Sequence, residues 1–146
     1  MRPERALCTL SVDGQVYGID VLAVQEIIGE QHMTPVPLAP RHVVGLLNLR
    51  GEIVPAVSLR GTLGLQPADP EKPCTHVVLR TRAGLASVIV DEIGDVLETD
   101  EAVFEEPPDT LDGVARDLVS GVHKLDGRLL LELDVERVLA IAAPGD

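Results

Sequence analysis

Apolar and polar residues alternate in short segments along the whole chain, and turn residues separate these segments. In Ala6–Val12, for example, Cys8, Leu10 and Val12 fall on one face of an extended strand. The same pattern predicts strands at Ala6–Val12, Gln15–Ile19, Val43–Arg50, Ile53–Leu59, His76–Thr81, Leu85–Val90, Val96–Glu98, Leu118–Leu125 and Arg128–Leu133. A total of about nine or ten short strands is too many for one small barrel, so we expect an all-β fold of two linked barrel lobes. The pattern leaves open which strand belongs to which lobe.

Glycine-containing turns join several of these strands into hairpins. Asp13-Gly14 and Asp126-Gly127 each separate two strand segments, and Asp-Gly is a strong hairpin signal because glycine tolerates positive φ. Gly51 marks a further turn, between two apolar runs. A turn near Ala83-Gly84 joins His76–Thr81 to Leu85–Val90, and Val96–Glu98 could extend the sheet that these two strands form.

Two segments have the spacing of short helices. Asp20 can cap a helix that runs to Ile28, and Asp134 can cap a closing helix near the C-terminus, because an aspartate side chain accepts from unpaired backbone N–H groups. Both place apolar residues on one face: Val21, Val24 and Ile28 in the first, Val135, Val138 and Leu139 in the second. Proline-rich Gln66–Pro73 and acidic Asp100–Asp112 are predicted loops.

Length and composition narrow the class of protein. The 146 residues suffice for one domain, which we assign to residues 1–146. Hydrophobic residues make up 45% of the chain but aromatic residues only 1%, so the core must consist of Val, Leu, Ile and Ala. A net charge of −12 repels nucleic acid and anionic lipid, so we expect no nucleic-acid binding. Charges and prolines interrupt every apolar run and no signal peptide is evident, which predicts a cytoplasmic protein without membrane insertion.

The sequence holds no motif of metal, cofactor or catalytic chemistry. The histidines and the two cysteines lack metal-ligand spacing, and Cys8 and Cys74 are expected to be small buried hydrophobes and not a disulfide. Phosphate-binding loops, dinucleotide fingerprints and nucleophile elbows are absent. Carboxylate pairs such as Asp91/Glu92 are abundant, but abundance in an acidic protein does not indicate acid–base catalysis. We therefore expect neither an enzyme nor a cofactor.

The most informative stretch is Gly45–Arg60, in which two apolar runs flank the junction Arg50-Gly51-Glu52. A cation inside an apolar run is costly to bury alone, so Arg50 should lie at a strand end or meet a carboxylate. The stretch resembles the signature of the CheW-like chemotaxis coupling family. Further segments resemble that family in order and spacing: Tyr17–Asp20, Val24–Ile27, Thr34–Pro37, Val90–Leu97, Gly121 and Leu130–Leu139.

This resemblance implies a fold and a function. Family members have two SH3-like five-stranded barrels packed on each other, and they tether a CheA-type histidine kinase to chemoreceptors without chemistry of their own. The groove between the barrels would take the signalling tip of a receptor coiled coil, and the barrel faces would dock the regulatory domain of the kinase, so the protein would be recruited to receptor arrays. The positions that match the family near the receptor contact are Val24, Glu26, Gly45, Asn48 and Arg50.

Each of these positions also has a purely structural interpretation. Arg50 could cap its hairpin, Glu26 could form an intramolecular ion pair, Val24 could belong to the core, and Asn48 could satisfy a turn. Gly45 could serve backbone geometry through positive φ or a close approach of the chain.

Three more positions are expected to be structural. Asp20 would cap its helix and Gly51 would permit its turn. Arg60 lies where a strand yields to a turn, and an internal carboxylate such as Glu26 or Glu52 could satisfy it.

Two alternatives to a full coupling protein stay open. The family commonly has Asp where this chain has Ser58, and the lost acid puts part of a local salt-bridge network in doubt. A CheW-like protein with one interface would bind receptors without the kinase, and would tune or insulate an array. A small carboxylate-based hydrolase on a β-barrel is the third hypothesis, and it would need a deep pocket.

Overall fold

The computed structural model describes residues 5–39, 42–69, 71–99, 104–105, 117–125 and 127–142. The strands are β1 (Arg5–Val12), β2 (Gln15–Asp20), β3 (Val24–Ile28), β4 (Val43–Leu49), β5 (Glu52–Ser58), β6 (Thr75–Thr81), β7 (Gly84–Val90), β8 (Glu92–Thr99), β9 (Phe104–Glu105), β10 (Val119–Leu125) and β11 (Arg128–Leu133). The helices are a 3-10 helix at Val21–Ala23, α1 (Leu59–Thr62) and α2 (Val135–Ala142).

The strands form two sheets, which we name the six-stranded lobe and the five-stranded lobe. The first has the order β8-β1-β2-β11-β10-β9, and the second has the order β3-β6-β7-β5-β4. The chain leaves the six-stranded lobe after β2, builds the whole five-stranded lobe, and returns at β8. The expected fold class, two SH3-like β-barrel lobes with short helices, is confirmed, and the sixth strand of the larger sheet is the two-residue β9.

Each lobe contains one parallel pair that joins distant parts of the chain. Strand β11 runs parallel to β2, and β7 runs parallel to β5, while the hairpins are antiparallel. The predicted hairpins β1–β2, β4–β5, β6–β7 and β10–β11 are all confirmed. Because β2 and β11 come from opposite ends of the sequence, the six-stranded lobe forms only when both ends meet.

Three local predictions were wrong in part. The helix predicted from Asp20 to Ile28 is a single 3-10 turn followed by strand β3, because its β-branched residues pair with β6. Val96–Glu98 lies in β8, which pairs with β1 and not with the β6–β7 sheet. Phe104–Glu105 forms β9 within the predicted loop Asp100–Asp112, and the remainder of that loop lies outside the described residues.

Both predicted caps are formed. Asp20 Oδ1 accepts a hydrogen bond from the Leu22 N–H at 2.9 Å and so caps the 3-10 helix. Asp134 Oδ1 accepts from the Arg137 N–H at 3.1 Å, in the first turn of α2. These bonds satisfy N–H groups that have no partner inside the helices.

One apolar core is shared between the lobes. The six-stranded lobe contributes buried residues such as Leu10 and Ile19, the five-stranded lobe contributes Val77 and Val88, and Val138 of α2 packs with them. A smaller cluster, Leu47, Val54 and Ala56, fills the five-stranded lobe itself. As the composition predicts, the core is almost wholly aliphatic. Its burial supplies the main attraction between the lobes.

The prediction of buried cysteines is confirmed for Cys8 and wrong in part for Cys74. Cys8 is buried, Cys74 is half-buried, and both are free. Burial raises the pKa of both thiols. Among the described residues, no helix is long and apolar enough to cross a membrane.

Candidate protein-interaction site

The β4–β5 hairpin presents Arg50 at its tip. Leu49 pairs with Glu52, so the connection is the two residues Arg50 and Gly51, whose φ angles are 51° and 90°. Two successive positive φ angles are typical of the type I′ turn, which matches the twist of the flanking strands. Asn48 Oδ1 accepts a hydrogen bond from the Gly51 N–H at 3.0 Å and supports the turn. Gly51 and Asn48 therefore have the structural roles that the sequence allowed for them.

Arg50 reaches from this tip to Glu26 on β3. Arg50 Nη2 pairs with Glu26 Oε1, and Arg50 Nη1 lies 3.4 Å from Glu26 Oε2. The Arg50 side chain is 73% exposed, whereas that of Glu26 is 25% exposed. The intramolecular pair therefore holds the guanidinium in place without covering it. Both interpretations of these residues, ion pair and partner contact, are compatible with this geometry.

Val24 lies at the start of β3, where it is half-buried and packs against the shared core. Two neighbours on this segment, Leu22 and Ile27, are exposed large hydrophobic residues. Arg80 of β6 braces the segment from the side, because its guanidinium donates to Gln25 Oε1 at 2.5 Å and to the Leu22 carbonyl at 2.8 Å. The sequence did not indicate this brace, since Gln25 and Arg80 are 55 positions apart.

Gly45 lies on β4 against the segment that follows β3. Thr34 and Leu46 exchange two backbone hydrogen bonds of 2.9 Å, which joins the β3 side of the sheet to β4. A Cβ atom at Gly45 would lie 2.9 Å from the Thr34 carbonyl oxygen and 3.0 Å from the Met33 Cβ. Of the two backbone roles considered for Gly45, the structure shows the close approach.

The partner expected for Arg60 was wrong. Arg60 lies in α1 and donates to Asp91 from Nε at 2.9 Å and from Nη2 at 2.7 Å, so neither Glu26 nor Glu52 satisfies it. The hydrogen bonds to Asp91 raise the pKa of Arg60, and the same bonds lower the pKa of Asp91 below its ordinary value. Arg60 is structural, as expected, but it finds its carboxylate in the segment after β7.

Ser58 has a local role of its own. Its Oγ accepts from the Gly61 N–H at 3.0 Å, and its carbonyl accepts from Thr62 Oγ1 at 2.7 Å, so Ser58 is the N-cap of α1. Because Arg60 pairs with Asp91, the absence of an acid at position 58 does not leave that arginine without a partner.

The groups that could suggest a hydrolase are poorly suited to one. His76 Nδ1 lies 2.9 Å from Ser87 Oγ, but both residues are 0% exposed and no substrate can reach them. The Asp91 carboxylate has a lowered pKa, whereas a general acid needs a raised one. No group of three His, Cys, Asp or Glu side chains within the described ranges could hold a metal ion. Of the predicted contact residues, the structure joins Glu26 and Arg50 directly through their ion pair, while Val24 lies on β3, and Gly45 and Asn48 lie on β4.

Comparison with known proteins gives one consistent result. The model of the family described as CheW-like domain matches residues 6–143. "Chemotaxis protein CheW" of Rhizobium meliloti is 32% identical over 132 residues, which cover 89% of this chain and 85% of that protein. "Chemotaxis protein CheW" of Thermotoga maritima is 30% identical over 139 residues, which cover 93% and 88%.

A solved structure shares the architecture. The crystal structure of scaffolding protein TtCheW from Thermoanaerobacter tengcongensis superposes with a TM-score of 0.82, at 25% identity and over 90% of each chain. The match of the family model over nearly the whole chain, together with these relatives, shows that the chain belongs to the family of CheW-like domains.

Proposed function

We propose that this protein is a chemosensory scaffold that couples chemoreceptors to a CheA-type histidine kinase. The observation that carries the proposal is the CheW-like match over residues 6–143, together with the same two-lobed architecture in a scaffolding protein. In this role the protein acts by binding alone, without catalysis or a cofactor, in the cytoplasm at receptor arrays.

The receptor-binding surface in this proposal is built on β3 and the β4–β5 turn. Arg50 offers a guanidinium that is 73% exposed and already oriented by Glu26, so little side-chain entropy is lost when a partner binds. Val24 and Gly45 would shape the surface, and Asn48 would hold the turn. A receptor tip is a helical coiled coil, which needs both apolar and polar contacts.

The apolar contacts would come from the same segment. Leu22 is 78% exposed and Ile27 is 43% exposed, and both flank Val24 and Glu26 along the chain. Large aliphatic residues exposed on the segment that also carries Glu26 are candidates for these contacts.

The kinase regulatory domain would dock on the barrel faces. Exposed Val44 and Ile53 on the β4–β5 hairpin, and Val96 on the edge strand β8, supply small aliphatic patches. A protein with two such surfaces holds receptor and kinase in a fixed register. A conformational change of the receptor then biases the kinase, provided that the assembly binds its active and inactive states with different affinity.

A titration with each partner tests the proposal. The purified protein is titrated with a soluble receptor signalling tip and, separately, with the kinase regulatory domain from the same organism. Arg50→Glu should weaken receptor binding, whereas Arg128→Glu is the matched control, because Arg128 is another exposed hairpin arginine but lies in the six-stranded lobe. Binding to the receptor alone would favour the one-interface alternative. Binding to neither partner by folded protein would contradict the proposal.

A further inference from the structure

Asp91 lies where the chain passes from one lobe to the other. It is the single residue between β7 of the five-stranded lobe and β8 of the six-stranded lobe. Its backbone N–H donates to the Ser11 carbonyl of β1 at 3.2 Å. Its side chain is 28% exposed, so solvent reaches it only in part.

The carboxylate of Asp91 connects groups from both lobes. From the five-stranded side, Arg60 of α1 donates two hydrogen bonds, of 2.9 Å to Oδ1 and 2.7 Å to Oδ2. From the six-stranded side, the Asp13 N–H in the β1–β2 turn donates to Oδ2 at 2.9 Å. The Asp13 carboxylate also lies 3.8 Å from Arg60 Nη2. One carboxylate therefore links α1, the crossover and the opposite hairpin.

Arg60 is itself held on a second side. Its Nη1 donates to the Gln66 carbonyl at 3.0 Å, and its side chain is only 18% exposed. A guanidinium that makes a two-bond contact with a carboxylate is restricted in both distance and plane. The contact therefore constrains the orientation of the Arg60 guanidinium relative to the Asp91 carboxylate, as well as the distance between them.

The shared apolar core and the Asp91 contacts act on the two lobes in different ways. Apolar burial draws the lobes together and is itself non-directional, although close packing of the core also resists rotation. Hydrogen bonds weaken steeply when their angles change. The core would supply most of the attraction between the lobes, and the Asp91 contacts would select one angle between them.

We propose that Arg60 and Asp91 form an interlobe clamp that sets the angle between the lobes for partner binding. Both are then positioning residues: they touch neither partner but orient the groove between the barrels and the barrel faces. The proposal rests on the scaffold function proposed above, because only a partner that spans both lobes senses the angle, and the kinase contacts proposed at Ile53 and Val96 lie on different lobes.

Residual dipolar couplings of backbone amides measure this angle without any partner. In the wild type, one alignment tensor should fit the amides of both lobes. In Arg60→Gln, each lobe should still fit its own tensor, but the two tensors should differ in orientation or magnitude. Asp91→Asn is the second variant, since it keeps an acceptor for the Asp13 N–H if Arg60→Gln does not fold. Arg137→Gln is the matched control, because Arg137 pairs with Asp134 at 3.6 Å and donates to the Asp117 carbonyl at 3.5 Å, and neither partner belongs to the Asp91 contacts.

The same variants are then titrated with the kinase regulatory domain, whose proposed contacts lie on both lobes, at Ile53 of the five-stranded lobe and at Val96 of the six-stranded lobe. Arg60→Gln should bind about tenfold more weakly or worse, while its melting temperature falls by a few degrees, because the pair is partly exposed. Arg60→Lys, which keeps the charge but cannot form the two-bond contact, should fall between the wild type and Arg60→Gln.

The outcomes separate the clamp from the scaffold function. Divergent tensors with weakened binding of the kinase domain support the proposal. One common tensor in Arg60→Gln and Asp91→Asn overturns the clamp, and divergent tensors with unchanged affinity overturn its role in binding. If the wild type does not bind the kinase domain, the coupling function fails, and with it the role in binding, while the tensors still decide whether the clamp exists.

Discussion

Arg50→Gly separates the binding role of Arg50 from its structural role. Arg50 has φ of 51°, a conformation that costs a residue other than glycine about 1–2 kcal/mol. Glycine removes this cost and also removes the whole guanidinium. The substitution therefore deletes the proposed receptor contact at a position where the backbone prefers the new residue.

The expected change in stability is small because its contributions nearly cancel. Loss of the exposed pair with Glu26 removes about 0.2–1 kcal/mol, since 73% of the arginine side chain is exposed to water. Glycine also increases the conformational entropy of the unfolded chain, which lowers the free energy of unfolding by roughly 0.5–1 kcal/mol. Relief of the positive φ at position 50 offsets most of these two losses of stability. The net free energy of unfolding should change by less than about 1 kcal/mol, which corresponds to a shift of about 3 °C in Tm.

The expected change in binding is larger. A hydrogen bond to a charged group contributes about 1.5–3 kcal/mol, so loss of the guanidinium should weaken receptor binding roughly 10- to 150-fold. Calorimetric titration with the receptor tip and thermal unfolding of the same samples measure both quantities. A fall in Tm of more than about 8 °C, or an unchanged Kd, would refute the assignment of Arg50 as a contact residue.

Three further predictions concern the stability of the fold. Gly45→Ala should destabilise the protein by roughly 1–3 kcal/mol in urea unfolding, because the added Cβ would lie 2.9 Å from the Thr34 carbonyl oxygen. The same variant should perturb the backbone amide resonance of Thr34. An unchanged midpoint of urea unfolding would contradict the close approach. Ser58→Ala should cost about 1 kcal/mol in the same assay while Ser58→Asp keeps the cap, and equal losses for the two variants would count against capping. Burial lowers the pKa of His76, so the unfolded chain binds a proton that the folded protein resists. Stability should therefore fall as the pH drops below about 6.5, and this component should be missing in His76→Gln when unfolding is measured at several pH values.

Local chemistry explains which parts of the fold were predictable. Alternation of apolar residues and Gly-containing turns are properties of neighbouring residues, so the hairpins and the caps at Asp20 and Asp134 followed from the sequence. The segment Val24–Ile28 failed because its apolar spacing fits either a helix or a strand. Its pairing with β6, about 50 residues away, decides the outcome in favour of a strand.

Distant contacts explain what the sequence did not indicate. Strand β8 pairs with β1, and Arg60 pairs with Asp91 across 31 positions, and no local pattern specifies either partner. The resemblance to a family identified the region of the candidate site, but not its internal bonds. The exposure of Arg50 and the close approach at Gly45 became clear only from the folded geometry.

The proposed coupling function requires that one molecule of this protein bind receptor and kinase at the same time. Size-exclusion chromatography of the receptor tip with the kinase regulatory domain, in the presence and absence of the protein, tests this claim most directly. We expect all three to elute together, and the two partners to co-elute only when the protein is present. Competition between the two partners, or elution of the folded protein apart from both, would contradict the coupling function.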